Sequence, residues 1–200
     1  MELTGVSRRC TRQPMTIDSK LAELGITLPA AAAPVASYVP YVEANGLLYI
    51  SGQISFAEDG SLIKGRLGED MDLEAGIAAA RRCGIMLLAQ LRNALGSLDR
   101  VERIVKLGVF VNSAGDFTDQ PKVANGASEL MQDVFGEAGR HARSAVGVPV
   151  LPLGVAVEVD AVVQIRACSF SPGPQRVRAS RASSRAGDRR KYAHFIRRLV

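Results

Sequence analysis

The 200-residue sequence contains no tryptophan, two histidines and three cysteines, and only 5% of its residues are aromatic. With so few histidines, and with Cys10, Cys83 and Cys168 far apart, little is available for a metal site or a serine–histidine triad. An odd number of scattered cysteines is typical of a reducing compartment. No apolar run approaches the roughly 20 residues of a membrane-spanning helix, and the N-terminus lacks the apolar core of a secretory signal. We therefore expect a cytoplasmic protein without a membrane segment.

No cofactor is expected either, because the sequence has no P-loop, no dinucleotide-binding fingerprint and no metal-ligand constellation.

Charge is unevenly distributed along the chain. The net charge is +5, yet residues 15–167 carry 18 acidic and 13 basic side chains, whereas residues 1–14 have a net charge of +2 and residues 168–200 one of +8. The last segment is rich in Ser, Arg, Pro and Gly, a composition that buries too little apolar surface to fold. We predict one domain over 15–167 between two disordered basic extensions, 1–14 and 168–200. A basic arm for nucleic acid or an anionic membrane is the alternative interpretation of the tail.

Capping and turn signals divide the first part of this domain into elements. Thr16 is a suitable N-cap for a short helix, and Gly25 is a suitable end for it. Asn45-Gly46 joins two β-rich runs, and this dipeptide is the strongest short signal for a hairpin.

The second part alternates helical and strand patterns. Asp72 precedes a helical apolar period over 73–95, a strand follows within 100–113, and Pro121 is suited to the first turn of another helix. Two further strands lie in 141–161. The order β-β-(β)-α-β-α-β-β predicts an α+β fold, in which two long helices pack on one face of a mixed sheet, with a short N-terminal helix in addition.

The segment HARSAVGVPVLPLGVAVEVDA, residues 141–161, predicts a hairpin of two strands around a turn at 151–154. Because strand side chains alternate between faces, aligning the valines directs Arg143 and Glu158 to the same side, ~13 Å apart. An arginine and a carboxylate separated by small residues could bind a small carboxylate. A charged strand face is also typical of plain solvated surface.

Three segments resemble the RidA/YjgF family of reactive-intermediate deaminases: YISGQI, DFTDQPKVANGASELMQDVFGEAGRHARSAVGV and LPLGVAVEVDAVV. The resemblance covers roughly residues 15–166. It implies a chorismate-mutase-like fold and a homotrimer with ligand sites in the clefts between subunits. Better-studied members hydrolyse 2-aminoacrylate and related enamines and imines to 2-keto acids and ammonia, without a metal or organic cofactor.

The same resemblance implies roles for individual residues. Arg143 matches the arginine that grips the substrate carboxylate, and Glu158 matches the glutamate that orients water, so both are candidate catalytic residues. The other candidate substrate-binding positions are Tyr38, Ser51, Gly52, Asn125 and Ala145. In such a site Glu158 would act as a general base or water-orienting group, a contribution that is typically about 10²–10⁴-fold.

The sequence departs from the family pattern in three places. Ala145 replaces the cysteine usual in deaminase members, Gly147 replaces a residue that is often charged, and residues 151–153 lack the usual charges. These departures predict a roomier and more apolar pocket, and a substrate bulkier than aminoacrylate.

Two alternatives to a deaminase stay open. The first is a regulatory protein of the same fold that binds a small carboxylate without turnover. The second is an RNA-binding or endoribonuclease-like protein, which the acidic body and the scarcity of aromatic residues disfavour.

Overall fold

The computed structural model describes residues 16–31 and 37–166. In chain order its helices and strands are α1 (Ile17–Glu23), β1 (Tyr41–Ala44), β2 (Leu47–Ile54), α2 (Leu73–Leu95), β3 (Val101–Asn112), α3 (Gln120–Phe135), β4 (Ala142–Val148) and β5 (Val157–Ile165). The two extensions predicted at 1–14 and 168–200 lie outside the described residues, so the domain limits stay a prediction. In the part of the chain that the structure describes, no helix has both the length and the apolar character needed to cross a membrane.

The strands form one mixed sheet in the order β1-β2-β5-β3-β4. Neighbouring strands are antiparallel except β3 and β4, which are parallel and are connected through α3. The buried residues of α2 and α3 belong to the same core as the buried residues of β2, β3 and β5. This arrangement confirms the predicted α+β fold with two long helices on one face of a mixed sheet and a short N-terminal helix. The optional third strand before α2 is absent from the described residues, since 55–71 make only isolated bridges.

Local signals set the ends of the elements as predicted. The side chains of Thr16 and Asp72 accept hydrogen bonds from backbone N–H groups in the first turns of α1 and α2. Gly96 ends α2 with a φ of +75°. Asn45 and Gly46 have φ values of +52° and +74°, as the type I′ turn of a two-residue hairpin requires.

Close contact between α2 and α3 depends on glycine. A Cβ atom placed on Gly126 would lie 2.0 Å from the carbonyl oxygen of Ile77 and 2.9 Å from its carbonyl carbon. Further along the same two helices, a Cβ on Gly84 would lie 2.8 Å from a methyl group of Leu130. The two helix backbones therefore approach more closely than helices that carry side chains at the crossing.

The hairpin predicted over 141–161 is wrong. β4 pairs with β3, and β5 pairs with β2 on one side and β3 on the other, so β3 lies between β4 and β5. A strand, a crossover helix and a second strand are the usual source of a parallel pair, and β3, α3 and β4 follow that order. Both edges of β5 are thereby occupied, and no edge is left for β4.

We expect Gly126→Ala to destabilise the protein by about 1–3 kcal/mol or more, because the new methyl group meets backbone atoms that cannot rotate away. Urea unfolding followed by circular dichroism measures the loss. Gly115→Ala is the matched control, since a Cβ at Gly115 has nothing within 4 Å. Equal unfolding midpoints for the two variants would contradict this account of the helix contact.

Candidate active site

The pleat of the sheet places Arg143 and Glu158 on opposite faces. Leu107 of β3 pairs with Arg143 of β4 and with Ala161 of β5, and paired side chains project to the same side, here the side covered by the helices. Phe110, three residues after Leu107, pairs with Glu158 and projects to the other side. We call these sides the helix face and the open face. The prediction that Arg143 and Glu158 point to the same side is therefore wrong.

Arg143 is anchored to α3 by three hydrogen bonds. Its Nη1 donates to Asn125 Oδ1 and to Ser128 Oγ, each at 2.9 Å, and its Nη2 donates to the carbonyl oxygen of Pro121 at 3.1 Å. All three acceptors are uncharged, and among the described residues no carboxylate lies within 4 Å of the guanidinium. A guanidinium has five N–H donors, so the Nε–H and one Nη2–H are left for a further acceptor. A carboxylate can take two such donors together.

Ser128 and His141, which the sequence analysis missed, lie beside this arginine. His141 Nε2 is 3.0 Å from Ser128 Oγ, and His141 Nδ1 is 2.6 Å from the carbonyl oxygen of Gly139. Burial and, to a smaller extent, the charge of Arg143 lower the pKa of His141, while the hydrogen bond to Gly139 opposes this shift. Spacing could have indicated both residues: Ser128 is one helical turn after Asn125, and His141 is two residues before Arg143.

A cleft of about 640 Å³ opens at this arginine. It is lined by Asn125, Ser128, Glu129, Gln132, Arg140, His141 and Arg143. All of these side chains are polar or charged, so the more apolar pocket that was expected is not found in this cleft. Ala145, next on the same face, packs against the hydrophobic core, and a Cβ on Gly147 would lie 2.6 Å from Ser113 Oγ.

Glu158 and Asp160 lie side by side on the open face, each against a glycine. A Cβ on Gly52 would be 1.9 Å from Glu158 Oε1, and the backbone N–H of Gly108 donates to Asp160 Oδ1 at 3.0 Å. Burial and, secondly, the charge of Asp160 raise the pKa of Glu158. A carboxyl group with a raised pKa is better matched to proton exchange near neutral pH.

Ser51 and Gly52 adjoin Glu158 at an irregular point of the sheet. The pairing of β2 with β5 shifts register between Ile50 and Gln53, so Ser51 and Gly52 lie in a bulge. Ser51 Oγ donates to the carbonyl oxygen of Val39 at 2.8 Å.

Tyr38 precedes Val39 in this same segment and is 51% exposed. The candidate residues therefore form two groups. Arg143, Asn125 and Ala145 lie on the helix face, whereas Glu158, Ser51 and Gly52 lie on the open face with the Tyr38 segment beside them.

Comparison with known proteins identifies the family. Residues 18–164 match the model described as "YjgF/chorismate mutase-like, putative endoribonuclease". The chain belongs to the RidA/YjgF family. It is 53% identical to protein TCP17 of Trypanosoma cruzi, over 74% of this chain and 94% of that protein. A protein from Agrobacterium tumefaciens whose function is described as unknown has a crystal structure with a TM-score of 0.69 and 43% identity, covering 76% of this chain and 94% of the other.

A more distant relative carries the name of a reaction. The chain is 27% identical to the 2-iminobutanoate/2-iminopropanoate deaminase of Dermatophagoides farinae, over 70% of this chain and 94% of that protein.

We expect Asp160→Asn to lower the pKa of Glu158, because it removes the neighbouring negative charge and keeps the oxygen that accepts from Gly108. The titration of the Glu158 side-chain carboxyl, followed by carbon-13 NMR and assigned with Glu158→Gln, measures the change. Asp116→Asn, on an exposed loop, is the control and should leave the titration unchanged. An identical midpoint in Asp160→Asn and wild type would show that Asp160 does not act on Glu158.

Proposed function

We propose that this protein is a cofactor-independent imine deaminase that hydrolyses 2-imino and 2-aminoacrylate-type acids to 2-keto acids and ammonia. The observation that carries this proposal is the hydrogen bonding of Arg143. Its guanidinium is fixed by three uncharged acceptors beside a polar cleft, and among the described residues it has no acidic partner. Such a group offers a fixed positive charge and two unused donors to the carboxylate of a small acid. The name of the Dermatophagoides farinae relative supports the reaction class.

The complete pocket of this proposal lies between two subunits. One chain cannot bring Arg143 and Glu158 to one small substrate, because the sheet separates them. We therefore place Arg143 of one subunit and Glu158 of a neighbouring subunit at the same substrate, in the homotrimer that the family resemblance implies. Three apolar side chains of the open face support such a contact, since Val42, Tyr49 and Val146 are each about half exposed. Their burial would stabilise an assembly by about 25 cal/mol per Å² of apolar surface.

The proposed reaction needs three proton transfers and no cofactor. The substrate carboxylate pairs with Arg143, which fixes the iminium carbon in the cleft. Glu158 takes a proton from water as the water oxygen bonds to that carbon, giving a neutral carbinolamine. Glu158 then gives this proton to the nitrogen, the C–N bond breaks as ammonia leaves, and the hydroxyl returns a proton to Glu158 as its oxygen becomes the keto oxygen. The raised pKa of Glu158 favours these transfers, because its carboxyl then accepts and returns a proton readily.

Two other functions make different predictions. A regulatory protein would bind a 2-keto or imino acid at Arg143 without turnover. An RNA-cleaving protein is disfavoured by the 18 acidic against 13 basic side chains of residues 15–167, because phosphate contacts depend on Lys and Arg.

We also propose that the protein is located in the cytoplasm.

We expect Arg143→Ala to lower kcat/KM for 2-iminopropanoate by at least about 30-fold, the effect of losing ~2 kcal/mol or more of charge-assisted binding. Arg143→Lys should recover only part of this, because an ammonium lacks the planar fork. Keto acid release from enzymatically generated imino acids measures the rates. Arg103→Ala is the control, an exposed arginine on β3. If wild type does not exceed the uncatalysed rate with any imino acid, the deaminase proposal fails.

We expect mixed oligomers of Arg143→Ala and Glu158→Gln subunits to recover activity that neither variant has alone. Random mixing gives roughly a quarter of the inter-subunit sites both intact residues. Co-expression of the two variants with different affinity tags, followed by tandem purification and the same assay, measures the recovery. Two differently tagged copies of Arg143→Ala form the control. If verified mixed oligomers recover no activity, the inter-subunit site is contradicted. Either one subunit then supplies both residues to a site, or Glu158 is not part of the site.

A further inference from the structure

The hydrogen bonds around His141 have directions that chemistry fixes. The carbonyl oxygen of Gly139 can only accept, so His141 Nδ1 carries the proton in that 2.6 Å contact. A neutral imidazole protonated at Nδ1 has an unprotonated Nε2, which accepts the hydroxyl proton of Ser128 at 3.0 Å. Ser128 Oγ in turn accepts from Arg143 Nη1 at 2.9 Å. When His141 is neutral, each hydrogen bond from Arg143 through Ser128 and His141 to Gly139 therefore joins one donor to one acceptor.

Protonation of His141 disrupts this pairing of donors with acceptors. Nε2 would become a donor directed at Ser128 Oγ, and that single oxygen would lie between an imidazolium and a guanidinium. Arg143 cannot release its charge, because a guanidinium stays protonated in proteins. Repulsion between the two cations therefore acts on the contact between Arg143 and Ser128.

Charged groups around His141 come from several elements. They are Arg143 on β4, Glu129 on α3, Arg140 and Glu137 at the turn before β4, and Lys106 on β3. Arg140 and Glu137 pair with each other at 3.5 Å, and both are exposed. Lys106 lies opposite Ala142 and projects to the open face. Arg143 is thus the charge linked most directly to His141, through one shared hydroxyl.

We propose that His141, acting through Ser128, is a positioning residue for Arg143. Neutral His141 holds the Ser128 hydroxyl so that its oxygen accepts from Arg143, and this fixes the guanidinium for the substrate carboxylate. Protonated His141 weakens the contact between Ser128 and Arg143, so the guanidinium is no longer fixed. The inference rests on the proposed function, since it assigns regulation to the same substrate site. Because both ring nitrogens are already bonded, His141 acts on substrate affinity and not on the chemical step.

Three variants separate positioning from a general structural role. His141→Leu and Ser128→Ala each remove one link, and we expect KM to rise about 5–30-fold with kcat within about 3-fold of wild type, as for the loss of one charge-assisted hydrogen bond. His141→Gln supplies an amide oxygen that can accept from Ser128 and does not titrate. We expect its KM at pH 8 to lie within about 3-fold of wild type.

The decisive measurement is the pH dependence of affinity. Calorimetric titration with pyruvate, a keto acid product, reports binding without turnover. In wild type we expect Kd for pyruvate to rise only at a pH below the ordinary histidine pKa of about 6.5, because burial lowers the pKa of His141, and in His141→Gln to stay flat. The wild-type comparison with His141→Gln decides the matter even if His141→Leu does not fold.

Each outcome counts for or against the inference. Affinity that increases on acidification in wild type would overturn it, because protonated His141 would then itself bind the anion. Equal pH profiles in wild type and His141→Gln, or unchanged KM and Kd in Ser128→Ala, would overturn it as well. Absence of turnover together with the expected pyruvate binding would refute the deaminase proposal alone and leave the positioning role of His141 standing.

Discussion

Alternation of side chains along the central strands determines where chemistry can occur in this protein. β3 directs Leu107 toward the helices and Phe110 away from them, and the neighbouring strands follow the same pleat in register. The cationic cleft at Arg143 and the carboxylates at Glu158 and Asp160 therefore form on opposite sides of one sheet. Neither side contains all the groups that hydrolysis of a small imino acid requires. This division makes assembly part of the proposed mechanism.

Helix α3 links the packing of the core to the geometry of the cleft. Gly126 sets how closely the helix approaches α2, and the adjacent Asn125 accepts a hydrogen bond from Arg143. Pro121 and Ser128, one turn to either side, supply the other two acceptors. The guanidinium is thus held by a helix whose own position is fixed by backbone contact with Ile77. The rigid packing of α3 therefore fixes the position of the Arg143 guanidinium in the cleft. Binding sites on packed helices and strands are held more precisely than sites on loops.

The outcome of prediction from sequence depended on how local each signal was. Thr16, Asp72 and the Asn45-Gly46 turn act within a few residues, and the structure confirms the elements that they begin or join. The partner of β4 is a non-local choice, and the valine pattern of 141–161 suggested the wrong one. The order of β3, α3 and β4 contained the better signal.

In the candidate site, too, contacts between distant parts of the chain were the hardest to predict. The family resemblance named Asn125 and Arg143 as candidate substrate-binding residues, and the structure brings the two together. The Ser128–His141 pair was missed, because it depends on how closely α3 approaches β4 and on a carbonyl at Gly139. Spacing places Ser128 on the side of α3 that carries Asn125 and His141 on the side of β4 that carries Arg143, but it does not encode the distance between the two elements.

The open-face carboxylates have a consequence for how the sequence can vary. Glu158 occupies the space that a side chain at position 52 would need, and a Cβ at position 108 would lie 2.5 Å from Asp160 Oδ1. Neither pair can change one member freely, since a methyl group at either glycine would have to displace the facing carboxylate. Among relatives we therefore expect positions 52 and 158, and positions 108 and 160, to vary together. A relative that has lost the acidic residue would be free to lose the glycine as well.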